Sequence, residues 1–238
     1  MSVNGSPPSS PRRSKRVRFQ STKDCFGRFD GNDFDVSGLS PVEALAKVSA
    51  VAMLTTARVG EPREDASMAQ ARPRLSEINK RGFLTLDSQM GKKEVIQHAT
   101  TGEDVLYRQR CYVEGFLPKH LGDEFKRRMH LEDGVMIFIE PPGPEPPGWG
   151  PRVPVTGSDH HFDSNTRMAR YEFDYLASSI LPEVQPIMSD KMCRDLVERD
   201  SLDVRVIDMI WGRPFWLFDK VVEVLDQVHS NIVSTGSN

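Results

Sequence analysis

Residues 81–93 read Arg-Gly-Phe-Leu-Thr-Leu-Asp-Ser-Gln-Met-Gly-Lys-Lys, so a short apolar strand ends in four small hydrogen-bonding side chains, Thr85, Asp87, Ser88 and Gln89. In open α/β sheets the carboxyl end of a strand is where loops diverge and leave a crevice for ligands. Thr85 and Ser88 have the hydroxyls to contact a ligand hydroxyl or carboxylate. Asp87 can accept from an amine or a ribose, and backbone amides near Gly91 can face an anion. The competing reading is that Asp87, Ser88 and Gln89 satisfy the turn's own backbone, as Asx and Ser turns do. A second strand, Gln109 to Phe116, places Arg110, Tyr112 and Glu114 on one face and Cys111, Val113 and Gly115 on the other by its period of two. An Arg-Tyr-Glu row beside the Thr-Asp-Ser-Gln edge makes a polar patch between apolar walls. A solvent face with an ordinary cross-strand charge pair fits the same spacing.

Other chemistry-bearing groups are sparse. Asp159, His161 and Asp163 share a strand face and could bind a divalent ion, but the adjacent pair His160-His161 lacks HxxxH or HxH spacing, which favours a polar loop and no metal. Nucleophile elbow, P-loop, dinucleotide fingerprint and zincin motif are all missing, so an enzyme is the weaker expectation. Cys111 sits in an apolar strand and reads as core. Trp211-Gly212-Arg213-Pro214-Phe215-Trp216 reads as a turn packing two tryptophans, with an anion-binding Arg213 as the alternative.

These side chains need elements to hold them. Ser40-Pro41-Val42-Glu43 is a capping box with Pro at the first helical position, opening a helix over about 40–57. A shorter helix ends at Arg74–Lys80, with Gly82 placed to stop it. Residues 90–105 are polar and uneven and read as a loop. A charged helix runs from Pro118 to about Met129, and Val135–Ile139 is a buried strand that stops at a Pro- and Gly-dominated segment. Beyond it the pattern predicts a short strand over 152–156, a weak helix over 168–179, a helix over 190–199 capped by Ser189-Asp190, and a strand over 204–210. A final helix carries Phe215, Phe218, Val222 and Leu225 on one face. Helices alternating with strands predict an α/β (or α+β) class: a single mixed-sheet domain over 34–238, flanked by helices.

The 238 residues carry 38% hydrophobic and 27% charged side chains with a net charge of −3, and the pI is about 6.1. Bulk electrostatics therefore exclude the chain as a whole from nucleic-acid binding. No apolar run approaches the roughly 18–20 residues of a membrane helix. Three cysteines without metal or CxxC spacing suit a reducing compartment, and the expected location is intracellular, cytoplasmic or nuclear.

Leu75-Ser76-Glu77-Ile78-Asn79-Lys80-Arg81-Gly82-Phe83-Leu84-Thr85-Leu86-Asp87-Ser88-Gln89, followed after a gap by Gln109-Arg110-Cys111-Tyr112-Val113-Glu114, resembles the C-terminal regulatory domain of methylenetetrahydrofolate reductase and a group of uncharacterised bacterial and large-DNA-virus proteins. The resemblance implies a non-catalytic module that binds S-adenosylmethionine or S-adenosylhomocysteine. Thr85 and Ser88 match that family's ligand-contacting Thr and Ser. Met90 stands where the family has Pro, and no reductase barrel is present. The ligand-binding set expected on both grounds is Thr85, Asp87, Ser88, Gln89, Arg110 and Glu114.

Residues 1–33 are rich in Ser, Pro, Arg and Lys, too poor in apolar side chains to offset ordering entropy, and are expected to be disordered. Pro11–Arg18 carries five Lys or Arg in eight residues, enough for an import receptor or a nucleic-acid contact. Arg16-Val17-Arg18-Phe19 resembles the docking peptide of protein phosphatase 1 regulators, which adds a strand to a sheet edge with Val17 and Phe19 in pockets. The expected function is thus a ligand-binding or regulatory module with a docking tail. The alternative is an interaction protein of a eukaryotic host or virus acting through the tail, with a purely structural globular part.

Overall fold

A computed structural model describes residues 38–55, 66–98, 100–142, 153, 155–158, 162–163 and 191–235. Among the described residues, five helices and eight strands follow in chain order: α1 (Pro41–Thr55), α2 (Ala66–Lys80), β1 (Leu84–Gln89), β2 (Lys92–Gln97), β3 (Asp104–Gln109), β4 (Tyr112–Pro118), α3 (Lys119–Met129), β5 (Val135–Glu140), β6 (Thr156–Ser158), β7 (Phe162–Asp163), α4 (Lys191–Asp200), β8 (Ser201–Asp208) and α5 (Trp216–Thr235). They form two four-stranded sheets, β1-β4-β8-β5 and β2-β3-β6-β7. Every described strand pair is antiparallel. The mixed α/β class holds, in its α+β form.

Local signals explain two of the helix ends. The capping box is formed: Ser40 N donates to Glu43 Oε2 at 2.7 Å, and Glu43 N lies 3.4 Å from Ser40 Oγ. Gly82 stops α2 with φ of +86°, its N–H donating to Asn79 O at 2.9 Å. One face of the first sheet carries the main core. Val113, Leu117, Ile137, Val204 and Val206 meet Leu75 and Ile78 of α2, Phe125 of α3, and Phe218, Val221 and Leu225 of α5. Phe83 and Phe125 stack edge-on, with ring centroids 6.0 Å apart. Each such side chain, fully buried, contributes about 1.5–3 kcal/mol.

The expected loop over 90–105 instead holds β2 and the start of β3. It was missed because Val95 and Ile96 are exposed, so no burial alternation marks the strand. The pairing register passes unchanged from Gln89 opposite Tyr112 to Lys92 opposite Gln109, making residues 84–118 one long hairpin that bends at Met90-Gly91 and Arg110-Cys111. Three other segments satisfy the backbone at this corner: Arg110 N donates to Val155 O at 2.8 Å, Asp208 N to Cys111 O at 2.8 Å and Gly212 N to Gln109 O at 3.1 Å. The strand expected over 152–156 begins only at Thr156. The helix over 168–179, the Ser189-Asp190 cap, and Arg16, Val17 and Phe19 of the tail lie outside the described residues. Among those residues no helix is long and apolar enough to cross a membrane.

The corner tolerates no side chain at residue 91, where a Cβ would stand 2.3 Å from Arg213 O, a backbone atom that cannot swing aside. Gly91→Ala should destabilise the fold by about 1–3 kcal/mol through overpacking, read as a lowered urea midpoint with an unchanged slope.

Candidate functional site

The first sheet has a second face, and a bulge decides which side chains reach it. Thr85 pairs with Gly115 but Asp87 with Glu114, so Leu86 is the extra residue in β1. Strict alternation would put Thr85 and Asp87 on one face; the bulge sends them to opposite faces. Directly opposite residues of a ladder share a face, so Thr85 and Ser88, opposite Gly115 and Val113, lie on the helix-covered side.

There Thr85 is buried and tied to α2. Its Oγ1 accepts from Asn79 Nδ2 at 2.6 Å, and its N–H donates to Asn79 Oδ1 at 3.1 Å. Asp87 Oδ1 accepts from Ser88 N at 2.7 Å, the self-satisfying turn contact that the sequence left open. Arg110 belongs to neither face of β4. It sits at the hairpin corner with its guanidinium 4.1 Å from the Trp211 ring centroid.

Three of the expected residues do share the second face: Asp87, Gln89 and Glu114. They belong to two adjacent rows crossing the whole sheet. The first row is Asp87, Glu114, Arg205 and Phe138, each opposite the next; the second is Gln89, Tyr112, Ile207 and Met136. Asp203, two residues from Arg205 on β8, shares the face and lies 3.3 Å from the Arg205 guanidinium, with both side chains almost fully buried. Arg205, Asp203 and Tyr112 are further polar side chains of this face. The alternation in Leu202-Asp203-Val204-Arg205-Val206 was the signal that could have found the first two.

Asp87 and Glu114 are like charges directly opposite, an arrangement that destabilises a ladder unless something offsets it. The Tyr112 hydroxyl donates to Asp87 Oδ2 at 3.0 Å, and Arg205 flanks Glu114 on the other strand. Burial, the Asp87 carboxylate and Glu114, in that order, hold the Tyr112 phenol well above its ordinary value of 10. Gln89 Nε2 is buried and donates to no acceptor among the described residues. Val153, Val155, Met136, Phe138 and Met209 pack around Tyr112 and Ile207 and wall this face.

The remaining candidates separate from it. Arg213 is held by the buried Asp208, donating from Nε to Oδ2 at 2.7 Å and from a second nitrogen to Oδ1, and stacks 3.6 Å from the Trp216 ring centroid. Of the two tryptophans expected to pack onto the core, Trp216 does so, while Trp211 lies against Arg110. Cys111 is fully buried, and burial pushes its thiol up to about 12. Asp159, His160 and His161 lie outside the described residues. Among those residues no group of His, Cys, Asp and Glu is placed to hold a metal ion.

Arg205→Met should cost about 3–5 kcal/mol, because it removes one partner of a buried ion pair with Asp203. Tyr112→Phe should cost only about 1 kcal/mol, the net value of one hydrogen bond. A phenol whose folded pKa is raised adds stability that is fully present below its unfolded value and lost as pH rises past it. Urea unfolding should therefore show wild-type stability falling above pH about 10, and a shallower fall in Tyr112→Phe.

No curated protein matches the chain. A family model described as a domain of unknown function (DUF6919) matches residues 47–228, a span that takes in all eight described strands and both rows of the polar face, and the chain belongs to that family.

Proposed function

We propose that the chain is a non-catalytic ligand-binding or regulatory module, whose ligand lies against Asp87, Gln89 and Glu114 and carries a positive charge. The observation that carries this reading is the direct opposition of Asp87 and Glu114. Two neighbouring carboxylates attract a cationic group, and a ligand supplying one removes the repulsion between them. The buried Gln89 Nε2 adds a donor for a ligand acceptor, and Tyr112 and Arg205 position the two acids. Cys111, buried with its thiol pushed up, supplies no nucleophile.

An adenosyl sulfonium compound fits this chemistry. S-adenosylmethionine brings a sulfonium, an ammonium and hydrogen-bonding ring edges, in agreement with the family resemblance over residues 75–114. Thr85 then serves by anchoring β1 to α2, and the Arg16–Phe19 segment acts separately as a docking peptide.

A thermal-shift titration of the full chain against S-adenosylmethionine, S-adenosylhomocysteine and common nucleotides tests the reading. A ligand bound only by the folded state adds about 2.7 kcal/mol at a hundredfold its Kd, which raises the midpoint by roughly 5–10 °C for a chain of this size. The expected result is a shift with S-adenosylmethionine, smaller with the uncharged-sulfur homocysteine compound, lost in Asp87→Asn and Glu114→Gln, and unchanged when residues 1–33 are deleted. A flat response to every compound, or a shift that survives both substitutions, removes this face as the site.

A further inference from the structure

Strand β2 is the first strand of its sheet and pairs with β3 alone among the described strands. Its far half lacks the usual protection of an edge. Val95 is 64% exposed and Ile96 is 40% exposed, and successive residues point to opposite faces, so the strand is open on both sides. Natural edges are guarded by proline, bulges or charge, because unpaired backbone groups there recruit another strand. Here Lys92, Lys93 and Glu94 guard the near half only, and Glu94 is occupied by Lys92 of the same strand, 2.7 Å away.

The backbone shows which groups are on offer. His98 N donates to Glu103 O at 2.8 Å, so His98 belongs to a hydrogen-bonded pair of the hairpin. Such pairs alternate along an antiparallel ladder. Residues 96, 94 and 92 therefore bond to β3, and Lys93, Val95 and Gln97 point their N–H and C=O groups away from it.

We propose that this edge pairs with β2 of a second copy of the chain, antiparallel and centred on Val95 opposite Val95 of the copy. A two-fold axis between identical antiparallel strands places one residue opposite itself, which leaves few registers. Centring on Lys92, Lys93 or Glu94 sets like charges face to face, a destabilising arrangement. Centring on Val95 is the register nearest the middle of the strand that avoids this. It sets Lys93 opposite Gln97, an ammonium against an amide oxygen, and Glu94 opposite Ile96, whose exposed surface the Glu94 stem covers. It also uses the outward backbone groups of residues 93, 95 and 97. The basic tail around Arg16 and Arg18 is the poorer occupant, since Lys92 and Lys93 repel it.

Sedimentation velocity of the full chain over about 1–500 μM reads the association directly. Wild type should show a monomer–dimer equilibrium. Val95→Lys and Val95→Glu, at a position whose exposure leaves the hairpin intact by circular dichroism, should each weaken it at least about tenfold through like charges at the axis. An equimolar mixture of the two variants should recover the dimer, because lysine then faces glutamate. A wild type that stays monomeric throughout, or a variant that dimerises as well as wild type, overturns the edge as the interface. A mixture that stays monomeric overturns the Val95-centred register.

Discussion

Asp208 is wholly buried, and a carboxylate taken out of water costs several kcal/mol unless it is paired and hydrogen-bonded. The structure meets that demand with the eight residues that follow, 209–216. Ile210 N donates to Oδ1 at 2.9 Å, Arg213 closes on both oxygens, and Trp216 covers the guanidinium. Closing so tight a loop forces Phe215 to φ of +60°, a region costly for any residue with a Cβ. The same loop lays Gly212 against Lys92 and Lys93 and presses Arg213 onto Gly91, which fixes the bend of the hairpin. It also starts α5 where Leu217, Phe218 and Val221 can cover the first sheet. One buried charge thus sets the hairpin bend and the placement of α5, the longest helix among the described residues.

The parts of the fold that were legible in the sequence are those decided by neighbours a few residues apart. Ser40 and Glu43 bond to each other, so a four-residue signature sufficed. The apolar face of α5 repeats at helical spacing because one continuous core receives it. Val135–Ile139 read as a strand because it is an unbroken run of apolar side chains. What stayed hidden depends on partners distant in the chain. Leu-Thr-Leu-Asp-Ser-Gln alternates well enough to pass for a regular strand; the bulge at Leu86 exists only against Gly115 and Glu114 of β4. Lys92–Gln97 gave no pattern, since a strand with both faces open has no buried side to mark.

The candidate site divides the same way. The side chains of Asp87, Gln89 and Glu114 were picked by type and stand together, but Thr85 and Ser88, picked by type and by the family resemblance, lie on the other face of the sheet. Arg110 was placed beside Tyr112 by period-two counting along 109–116, although the hairpin has already turned its corner there. Asp203 and Arg205 were not chosen at all, because β8 comes about ninety residues after β4 in the chain and nothing local to either strand announces that they are neighbours.

Buried charge appears twice in this fold, with opposite outcomes. Around Asp208 every term is internal: one guanidinium fits both carboxylate oxygens, a tryptophan seals it, and the unit ends in the core. Across the second face of the first sheet the charges run the other way, from buried Asp203 and Arg205 through buried Glu114 to exposed Asp87. Two carboxylates meet at the solvent end, and a buried amide donor lies in the next row. A row built only to hold the sheet together would gain more from apolar side chains of the same size, since replacing buried ion pairs with well-packed hydrophobic residues is commonly neutral or stabilising. The cluster around Asp208 has a structural account in the corner it shapes, whereas the row that ends at Asp87 is the one on which the proposed cationic ligand rests.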